Sequence, residues 1–301
     1  MAGQASGLRF HHARLHKRAF HDTYALTGAE GDVFFMRLYR PGYWPDEEVI
    51  AEMQILRALQ AAGQPVALPW TGPDGSMPLR LDLEGCSYQA VIFPALGGSP
   101  PPALDTDTAK SFAAALAVLH GAMDRLDTNR RYRQDQRSLP AFILPPMQEL
   151  LGPADMIRLR ACLSACLTAL GSIPAKKPFF GLCHGDTHTG NWLLWNGAVR
   201  FLDFDHCGHM WRIHDLAVAL WDAVIFSPGA DVSALSSALI GGYQTIRPLE
   251  NDEKAALLPA CALRHLWWAA LHIRMGHRDG AFARKAVQQA EEWLDTADTL
   301  P

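Results

Sequence analysis

The residues best suited to chemistry lie in one short stretch, LCHGDTHTGNWLLWNGAVRFLDFD, at positions 182–205. It contains a carboxylate at Asp186, an amide at Asn191 and a second carboxylate at Asp203. Amide and carboxylate oxygens are hard ligands that Mg²⁺ takes alongside waters and substrate phosphates. The stretch therefore predicts a site for phosphoryl transfer, provided that the chain brings these side chains together.

A tight turn in the middle of the stretch indicates how two of them would meet. Asn196-Gly197 separates two short apolar runs, at 192–195 and 198–201. Asn-Gly between such runs is the strongest local signal for a hairpin, because both turn residues adopt a positive φ. Counting outward from the turn places Asn191 and Asp203 together at the open end of the hairpin, with the Asp186 loop nearby.

Composition limits the partners and the location. The 301 residues include 27 basic and 31 acidic side chains, for a net charge of −4, which gives no electrostatic basis for binding nucleic acid or an anionic membrane. The six cysteines show no CxxC spacing and no secretory signal is evident, so we expect a cytoplasmic protein. No apolar run is long enough to span a membrane.

The first hundred residues alternate between short apolar runs and turns. Residues 1–20 are basic and rich in histidine, and we expect them to be loosely ordered or to form an edge element. A helix is predicted from Pro45 to about Gly63, with acidic residues in its first turn. Strands are predicted at 23–26, 33–40, 80–83 and 88–93.

One charged residue interrupts each of two apolar patterns. Arg37 lies in the strand at 33–40, and Glu52 falls on the apolar stripe of the helix. A buried carboxylate needs a partner because a lone buried charge is costly, and Arg37 is the obvious candidate. Alternatively, Arg37 is a snorkelling edge residue and Glu52 is a boundary position on the helix; the pattern leaves both open.

After residue 96 the pattern becomes helical, so we predict two domains, at 1–96 and 97–301. A helix is expected after Asp215, which is placed to cap its N terminus. Other helices are predicted at 107–123, 139–151, 153–170, 231–246, 251–275 and 280–297.

Three motifs, HGDTHTGN at 184–191, LDFD at 202–205 and DLA at 215–217, resemble the signature of the aminoglycoside phosphotransferase and choline kinase superfamily. FMRLYRPGYWPDEE with AEMQIL resembles its small-lobe strand and helix. YQAVIFPALGG resembles its hinge, in particular that of the stress response kinase A group. The resemblance covers nearly the whole chain. It implies an α+β, bilobal protein-kinase-like fold, with a small antiparallel-sheet N-lobe carrying one helix and a larger, mainly helical C-lobe.

The resemblance also implies roles for the polar residues of the central stretch. Asp186 would orient the acceptor hydroxyl and take its proton, while Asn191 and Asp203 would hold Mg²⁺ against the phosphates of ATP. His184 would support the loop, and Asp215 would brace it from the following helix. Such an enzyme works by positioning its substrates and by neutralising charge on the transferring phosphoryl group.

The nucleotide would be held by the N-lobe. Arg37, with Glu52 as its helix partner, occupies the position of the lysine that usually binds the phosphates. The guanidinium group of arginine is planar and donates several hydrogen bonds in fixed directions, whereas the ammonium group of lysine is a compact charge. No glycine-rich loop is evident at residues 20–24, where the family places one. The hinge residues implied to line the adenine pocket and to offer backbone hydrogen bonds are Phe93, Pro94, Ala95 and Leu96.

Three functions remain open from the sequence. The first is an ATP- and Mg²⁺-dependent kinase that phosphorylates a hydroxyl of a small molecule such as an amino alcohol or an aminoglycoside. The second is a serine/threonine protein kinase of the stress response type. The third is a nucleotide-binding pseudokinase, which Arg37 suggests. A zinc site among the cysteines and histidines at 183–209 is disfavoured, because their spacing fits no common ligand pattern.

Overall fold

The structure, a computed structural model, describes residues 2–18, 21–83, 85–126, 131–227 and 229–297. Its contacts divide the chain into two units. Unit 1 consists of Met1–Ser99, Leu126–Arg131 and Arg200–Asp205, and unit 2 consists of Pro100–Arg125, Tyr132–Val199 and His206–Pro301.

Unit 1 contains an antiparallel sheet whose described strands are β1 (Phe10–Arg18), β2 (Asp22–Gly28), β3 (Val33–Leu38), β4 (Leu79–Leu83) and β5 (Cys86–Pro94). Their order is β1-β2-β3-β5-β4. Alternate side chains of a strand share a face, so Phe34, Met36 and Leu38 of β3 pack into one core with Leu81 and Ile92. The four predicted strands are confirmed, with each end within about two residues of its predicted position.

The basic N-terminal segment forms a short helix, α1 (Ala2–Ser6), and the edge strand β1. The prediction of an edge element is therefore confirmed for residues 10–18. Most of β1 is exposed, and its basic side chains are typical of strands that must not pair with another chain.

The single predicted helix of unit 1 is confirmed as α2 (Asp46–Ala61). It begins after Pro45 and carries three acidic residues in its first turn, where they favour the positive end of the helix dipole. Gly63, at φ +76°, follows its end, in the left-handed conformation that glycine adopts most readily. The buried face of α2 includes Glu52 among its apolar side chains.

Unit 2 is mainly helical. Its described helices are α3 (Thr106–Met123), α4 (Ser138–Gln148), α5 (Pro153–Gly171), α6 (Ile213–Phe226), α7 (Val232–Gln244), α8 (Asn251–Ala255), α9 (Leu257–Arg274) and α10 (Gly280–Ala297). The predicted helices are confirmed except that the one expected at 251–275 is divided at Ala256. Pro259 explains the division, because it has no N–H to bond to the carbonyl of Ala255.

Two small sheets flank the polar loop. In the first, β6 (Phe180–Cys183) pairs antiparallel with β9 (Gly208–Trp211), and neither strand was predicted because each is too short to show a period. In the second, β7 (Trp192–Trp195) pairs with β8 (Ala198–Phe201). The turn between them has positive φ at Asn196 (50°) and Gly197 (79°), which confirms the predicted Asn-Gly hairpin.

Among the described helices, none combines the length and the apolar composition needed to cross a membrane.

The contact between α3 and α7 requires a glycine at position 242. A Cβ added to Gly242 would lie 2.7 Å from the Cα of Lys110, whereas one added to Gly241 would meet no heavy atom within 4 Å. We expect Gly242→Ala to lower the free energy of unfolding by about 2–3 kcal/mol through overpacking. Gly241→Ala should raise it by about 0.5–1 kcal/mol, because alanine restricts the unfolded chain more than glycine does. Urea unfolding of the two variants measures both effects, and equal stabilities would contradict this account of the α3–α7 contact.

Candidate active site

Asp186 lies in the loop that follows β6, and both of its carboxylate oxygens have partners. Oδ1 accepts a hydrogen bond from Arg264 Nη2 at 2.5 Å, and Oδ2 accepts one from Asn191 Nδ2 at 3.0 Å. The side chain is largely buried. Asp186 is therefore held in one orientation from two sides.

Asn191 is oriented by the same contacts. Its Nδ2 also donates to the backbone oxygen of Asp186 at 2.8 Å, so the amide group must place its nitrogen on the Asp186 side. Both donors are then used, and Oδ1 makes no hydrogen bond to the described part of the chain. A free amide oxygen beside a carboxylate fits a hard divalent cation.

Arg264 was not predicted as a site residue. It lies on α9, is 4% exposed, and its guanidinium carbon is 5.1 Å from the ring centre of Trp221 and 4.9 Å from that of Trp267. The available signal was an arginine in the interior of a helix that is apolar on nearly every side, LLPACALRHLWWAALHIR. The same kind of signal had identified Arg37 in its strand.

The charges around Asp186 keep it ionised. Burial is the largest single influence and raises the pKa of Asp186, but its electrostatic interactions, above all that with Arg264, hold the pKa well below its ordinary value. A carboxylate of such low pKa is a weak base. Its contribution to a reaction is therefore to accept and orient a hydrogen bond.

Asp215 supports the loop that carries Asp186. Its Oδ2 accepts a hydrogen bond from His184 N and its Oδ1 one from Gly185 N, both at 2.8 Å. The prediction that Asp215 caps α6 is wrong, because it lies within the first turn of that helix and its carboxylate binds the loop instead. Arg212 is the residue at the cap position, and its side chain makes no capping bond.

A chain of buried hydrogen bonds leads away from Asp215. His120 Nε2 lies 2.9 Å from Asp215 Oδ2, and His120 Nδ1 lies 2.7 Å from the Tyr243 hydroxyl. Burial lowers the pKa of His120 to about 4 and raises that of Tyr243 to about 12. His120 is therefore neutral, donates from Nε2 to Asp215 and accepts from Tyr243, which links the loop to α3 and α7.

The loop backbone is tightly confined at its second residue. Gly185 has φ +83°, and a Cβ at this position would overlap the carbonyl oxygen of His206. The preceding residue, His184, is fully buried and accepts a hydrogen bond from Asp186 N at its Nδ1, at 3.3 Å.

In unit 1, Arg37 joins two carboxylates. Its Nη1 donates to Glu52 Oε1 at 3.0 Å and to the Tyr39 hydroxyl at 3.1 Å, and its Nη2 donates to Asp203 Oδ1 at 2.6 Å. The Arg37 and Glu52 side chains are 10% and 1% exposed. The predicted ion pair is therefore confirmed, and the alternatives of a snorkelling arginine and a boundary glutamate are wrong.

Tyr39 completes this cluster and was not predicted. Its hydroxyl donates to Glu52 Oε2 at 2.9 Å, and burial raises the pKa of Tyr39 well above its ordinary value. Tyr39 therefore remains a neutral donor to Glu52.

Asp203 has a left-handed backbone, with φ +59°. This conformation costs an ordinary residue roughly 1–2 kcal/mol, although aspartate tolerates it better than most. Such outliers concentrate at functional sites. Asn191 lies in unit 2 and Asp203 in unit 1, so their predicted meeting stays a prediction.

The predicted hinge residues follow the end of β5. Pro94 has no N–H, and Ala95 N donates to Val33 O at 3.0 Å, so the Ala95 N–H is already used. The ring of Phe93 lies 5.6 Å from the guanidinium carbon of Arg37. Phe93 and Arg37 therefore share one face of the sheet, and Leu96 is the hinge residue whose N–H makes no hydrogen bond to the described residues.

Another cluster, found among the described residues, has the composition of a metal site. The ligand atoms of His120, Cys183 and Asp215 lie within 4.8 Å of one another in the buried interior of unit 2. His120 and Asp215 are already hydrogen-bonded to each other, and burial raises the pKa of Cys183 well above its ordinary value. Since a metal needs the thiolate, this cluster is better suited to packing than to metal binding.

Comparison with known proteins points to one family. The profile of the phosphotransferase enzyme family (APH) matches residues 12–249. An uncharacterised protein of Deinococcus radiodurans is 32% identical over 264 residues, or 85% of this chain and 75% of that protein. Homoserine kinase of Neisseria meningitidis serogroup B is 30% identical over 214 residues (69% and 66%). Stress response kinase A of Salmonella choleraesuis is 26% identical over 251 residues (80% and 71%).

Solved kinase structures share the fold. An amicoumacin kinase, solved with AMP-PNP and Ca²⁺, superposes with a TM-score of 0.79 at 18% identity, covering 97% of this chain and 92% of its own. A microcompartment-associated aminopropanol kinase gives a TM-score of 0.76 at 21% identity, and the match covers 95% of this chain and 93% of that kinase. The predicted α+β kinase-like fold is therefore confirmed.

Buried histidines make the stability of the chain sensitive to acid. Burial lowers the pKa of His120, His214 and His265 from 6.5 to about 4. Between pH 6.5 and pH 4 the unfolded chain binds protons at these histidines that the folded chain does not. The stabilisation that comes from keeping them neutral is therefore fully present above pH 6.5 and is lost as the pH falls towards 4. Each histidine contributes a slope of up to about 1.4 kcal/mol per pH unit.

We therefore expect the free energy of unfolding to fall steeply from pH 6.5 to pH 4.5 in guanidinium titrations at constant ionic strength. His265→Gln removes one of the three histidines, so the free energy of unfolding should fall less steeply with decreasing pH in this variant. A free energy of unfolding that stays level across this range would contradict the neutral state assigned to these histidines.

Proposed function

Because this chain belongs to the phosphotransferase enzyme family, we propose that it is a kinase that transfers the γ-phosphate of ATP to a hydroxyl of a small molecule, with Mg²⁺ as its metal. The observation that carries the proposal is the Asp186 carboxylate, which is held between Arg264 and Asn191 on a loop that Asp215 anchors. A fixed and ionised carboxylate is the group that an acceptor hydroxyl needs for its orientation.

In this mechanism the hydroxyl of the acceptor donates its hydrogen bond to Asp186. The new P–O bond forms as the bond between the γ-phosphorus and its bridging oxygen breaks, and ADP leaves. The hydroxyl proton passes to Asp186 late in the step, because a weak base draws it only once the oxygen has bonded to phosphorus. Most of the rate enhancement then comes from positioning.

Asn191 Oδ1 and the Asp203 carboxylate are the proposed ligands of Mg²⁺. When bound, the metal supplies positive charge to the β- and γ-phosphates. The free amide oxygen of Asn191 supports this assignment. The left-handed backbone at Asp203 also supports it, because strained residues concentrate at ligand-binding sites.

The nucleotide is assigned to unit 1. Arg37 is proposed to bind the phosphates, with Glu52 and Tyr39 holding its guanidinium group in place. Phe93 and Leu96 are proposed to contact adenine, Phe93 with its ring and Leu96 with its free N–H. Pro94 and Ala95 then serve to shape the hinge, because neither has a free N–H to offer.

Amino alcohols and aminoglycosides are the first acceptor classes to test. Amicoumacin kinase and aminopropanol kinase share the fold, and homoserine kinase is a sequence relative; all three are named for small acceptors. We place the activity in the cytoplasm, because ATP is available there and all six cysteines are free thiols.

A serine/threonine protein kinase is the second candidate function. It is favoured by the 26% identity to stress response kinase A. A pseudokinase is less well supported, because Asp186, Asn191 and Asp203 are all present. Phosphate transfer from labelled ATP to a panel of amino alcohols, aminoglycosides and a generic protein substrate separates the three.

The role of Asp186 is tested by Asp186→Asn, which removes the charge and keeps the shape. We expect kcat to fall by about 10²–10⁴-fold, with the affinity for Mg·ATP nearly unchanged in titration calorimetry. The variant should also melt at a lower temperature, since Arg264 then stays buried without its carboxylate. Transfer at the wild-type rate would refute the role of Asp186.

The role of Arg37 is tested by its alanine and lysine variants. Arg37→Ala should weaken ATP binding by about 10–100-fold, because charge-assisted hydrogen bonds to phosphate are lost. Arg37→Lys should fall between alanine and the wild type, since lysine keeps the charge without the fork. The surface variant Arg80→Ala, in the same unit and 61% exposed, serves as the control.

Arg37→Ala also leaves Glu52 buried without its cation, so the double variant Arg37→Met, Glu52→Gln is measured beside it. If the wild type, Arg37→Ala and the double variant all bind ATP with equal affinity, Arg37 has a purely structural role.

A further inference from the structure

Arg264 has more hydrogen-bonding capacity than its surroundings use. A guanidinium group carries five N–H donors, and within the described residues Arg264 makes one hydrogen bond, from Nη2 to Asp186. Its Nε is fully buried without a partner. Nη1 makes no hydrogen bond to the described residues either, and it is not among the fully buried unpaired atoms, so it keeps some exposed surface.

The indole rings of Trp221 and Trp267 compensate the buried charge in part. The guanidinium carbon lies within 5.1 Å of both ring centres, at a distance where a cation over an aromatic face gains about 0.5–2 kcal/mol. Such rings contact the plane of the guanidinium group and do not satisfy its N–H donors. A buried charge with unused donors is costly, and arginine is best matched to planar oxyanions that accept two parallel bonds.

The wall around Asp186 favours an anion over a cation. Arg264 Nη2 lies 2.5 Å from Asp186 Oδ1 and places a buried guanidinium cation in direct contact with this carboxylate. The Asp222 carboxylate accepts two hydrogen bonds at its Oδ2, from Thr189 N at 2.9 Å and from Thr189 Oγ1 at 2.7 Å. A cationic group placed beside Asp186 would face the guanidinium group of Arg264.

We propose that the acceptor carries a carboxylate beside its reactive hydroxyl, and that Arg264 binds this carboxylate through Nη1 while Nη2 holds Asp186. The proposal rests on the proposed kinase activity and narrows its acceptor to short hydroxy acids, including hydroxyl-bearing amino acids. The two functional groups must be a few bonds apart, because one guanidinium group contacts both the carboxylate and the residue that orients the hydroxyl. Arg264 is then the residue that determines acceptor specificity.

The test uses acceptor pairs that differ only in the carboxylate: L-homoserine with 3-amino-1-propanol, and L-serine with ethanolamine. Initial rates are measured with the full chain, ATP and Mg²⁺. We expect the carboxylate-bearing member of the better pair to have a kcat/KM about 10–100-fold higher, the range for a charge-assisted hydrogen bond. In Arg264→Gln this ratio should fall towards one, and in Arg264→Lys it should be partly retained.

Arg274→Gln is the matched control, because Arg274 lies on the same helix, is exposed and donates to the backbone oxygen of Phe142. It should leave the ratio unchanged. Thermal melting of each variant shows whether it is folded, and the lysine variant keeps a cation beside Asp186 if the glutamine variant is unstable.

The possible results separate the alternatives. The carboxylate proposal is overturned if both members of each pair are used equally, or if the member without a carboxylate is preferred. It is also overturned if phosphate is transferred to an aminoglycoside alone. None of these three results contradicts the proposed kinase activity. An equal loss for both members in Arg264→Gln also overturns the carboxylate proposal, since Arg264 would then act on Asp186 or on the transferring phosphoryl group. Transfer to none of these acceptors, an aminoglycoside included, refutes the proposed small-molecule kinase itself.

Discussion

The buried carboxylate of Asp215 is the constraint on which unit 2 depends. Its two oxygens accept the N–H groups of His184 and Gly185, and His120 donates to it from α3. Burial raises the pKa of Asp215, but the hydrogen bond from His120 and the nearby imidazoles lower it to about 2. Because an ionised carboxylate without such partners would be strongly destabilising in the interior, the loop is held in the one position that satisfies Asp215.

That position determines where Asp186 lies. Gly185 passes so close to the carbonyl of His206 that no side chain fits, and Asp186 then meets Arg264 from α9 and Asn191 from the turn before β7. Three separate parts of unit 2 therefore converge on one carboxylate. The convergence supplies rigidity, which is what a reaction based on positioning requires.

Paired buried charges recur in both units. Arg37 contacts Glu52 and Asp203 in unit 1, and Arg212 contacts Asp124 in unit 2. Each pair costs desolvation energy, and removing one partner costs more than the pair itself contributes. Arg264 differs from Arg37 because two of its three nitrogens have no hydrogen bond within the described chain. Arg264 therefore has more N–H donors left for a ligand than Arg37, which uses both of its Nη atoms within unit 1.

Local features of the chain could be predicted from the sequence alone. The Asn196-Gly197 hairpin and α2 follow from turn chemistry and from apolar period, both of which act between near neighbours in the chain. The pairing of Arg37 with Glu52 was also accessible, because each residue interrupts an otherwise apolar pattern. Only the tertiary structure shows that Arg264 meets Asp186, 78 positions away, and that Asp215 does not cap its own helix. Both facts depend on how distant helices and loops pack, and the sequence carries no local signal of that packing.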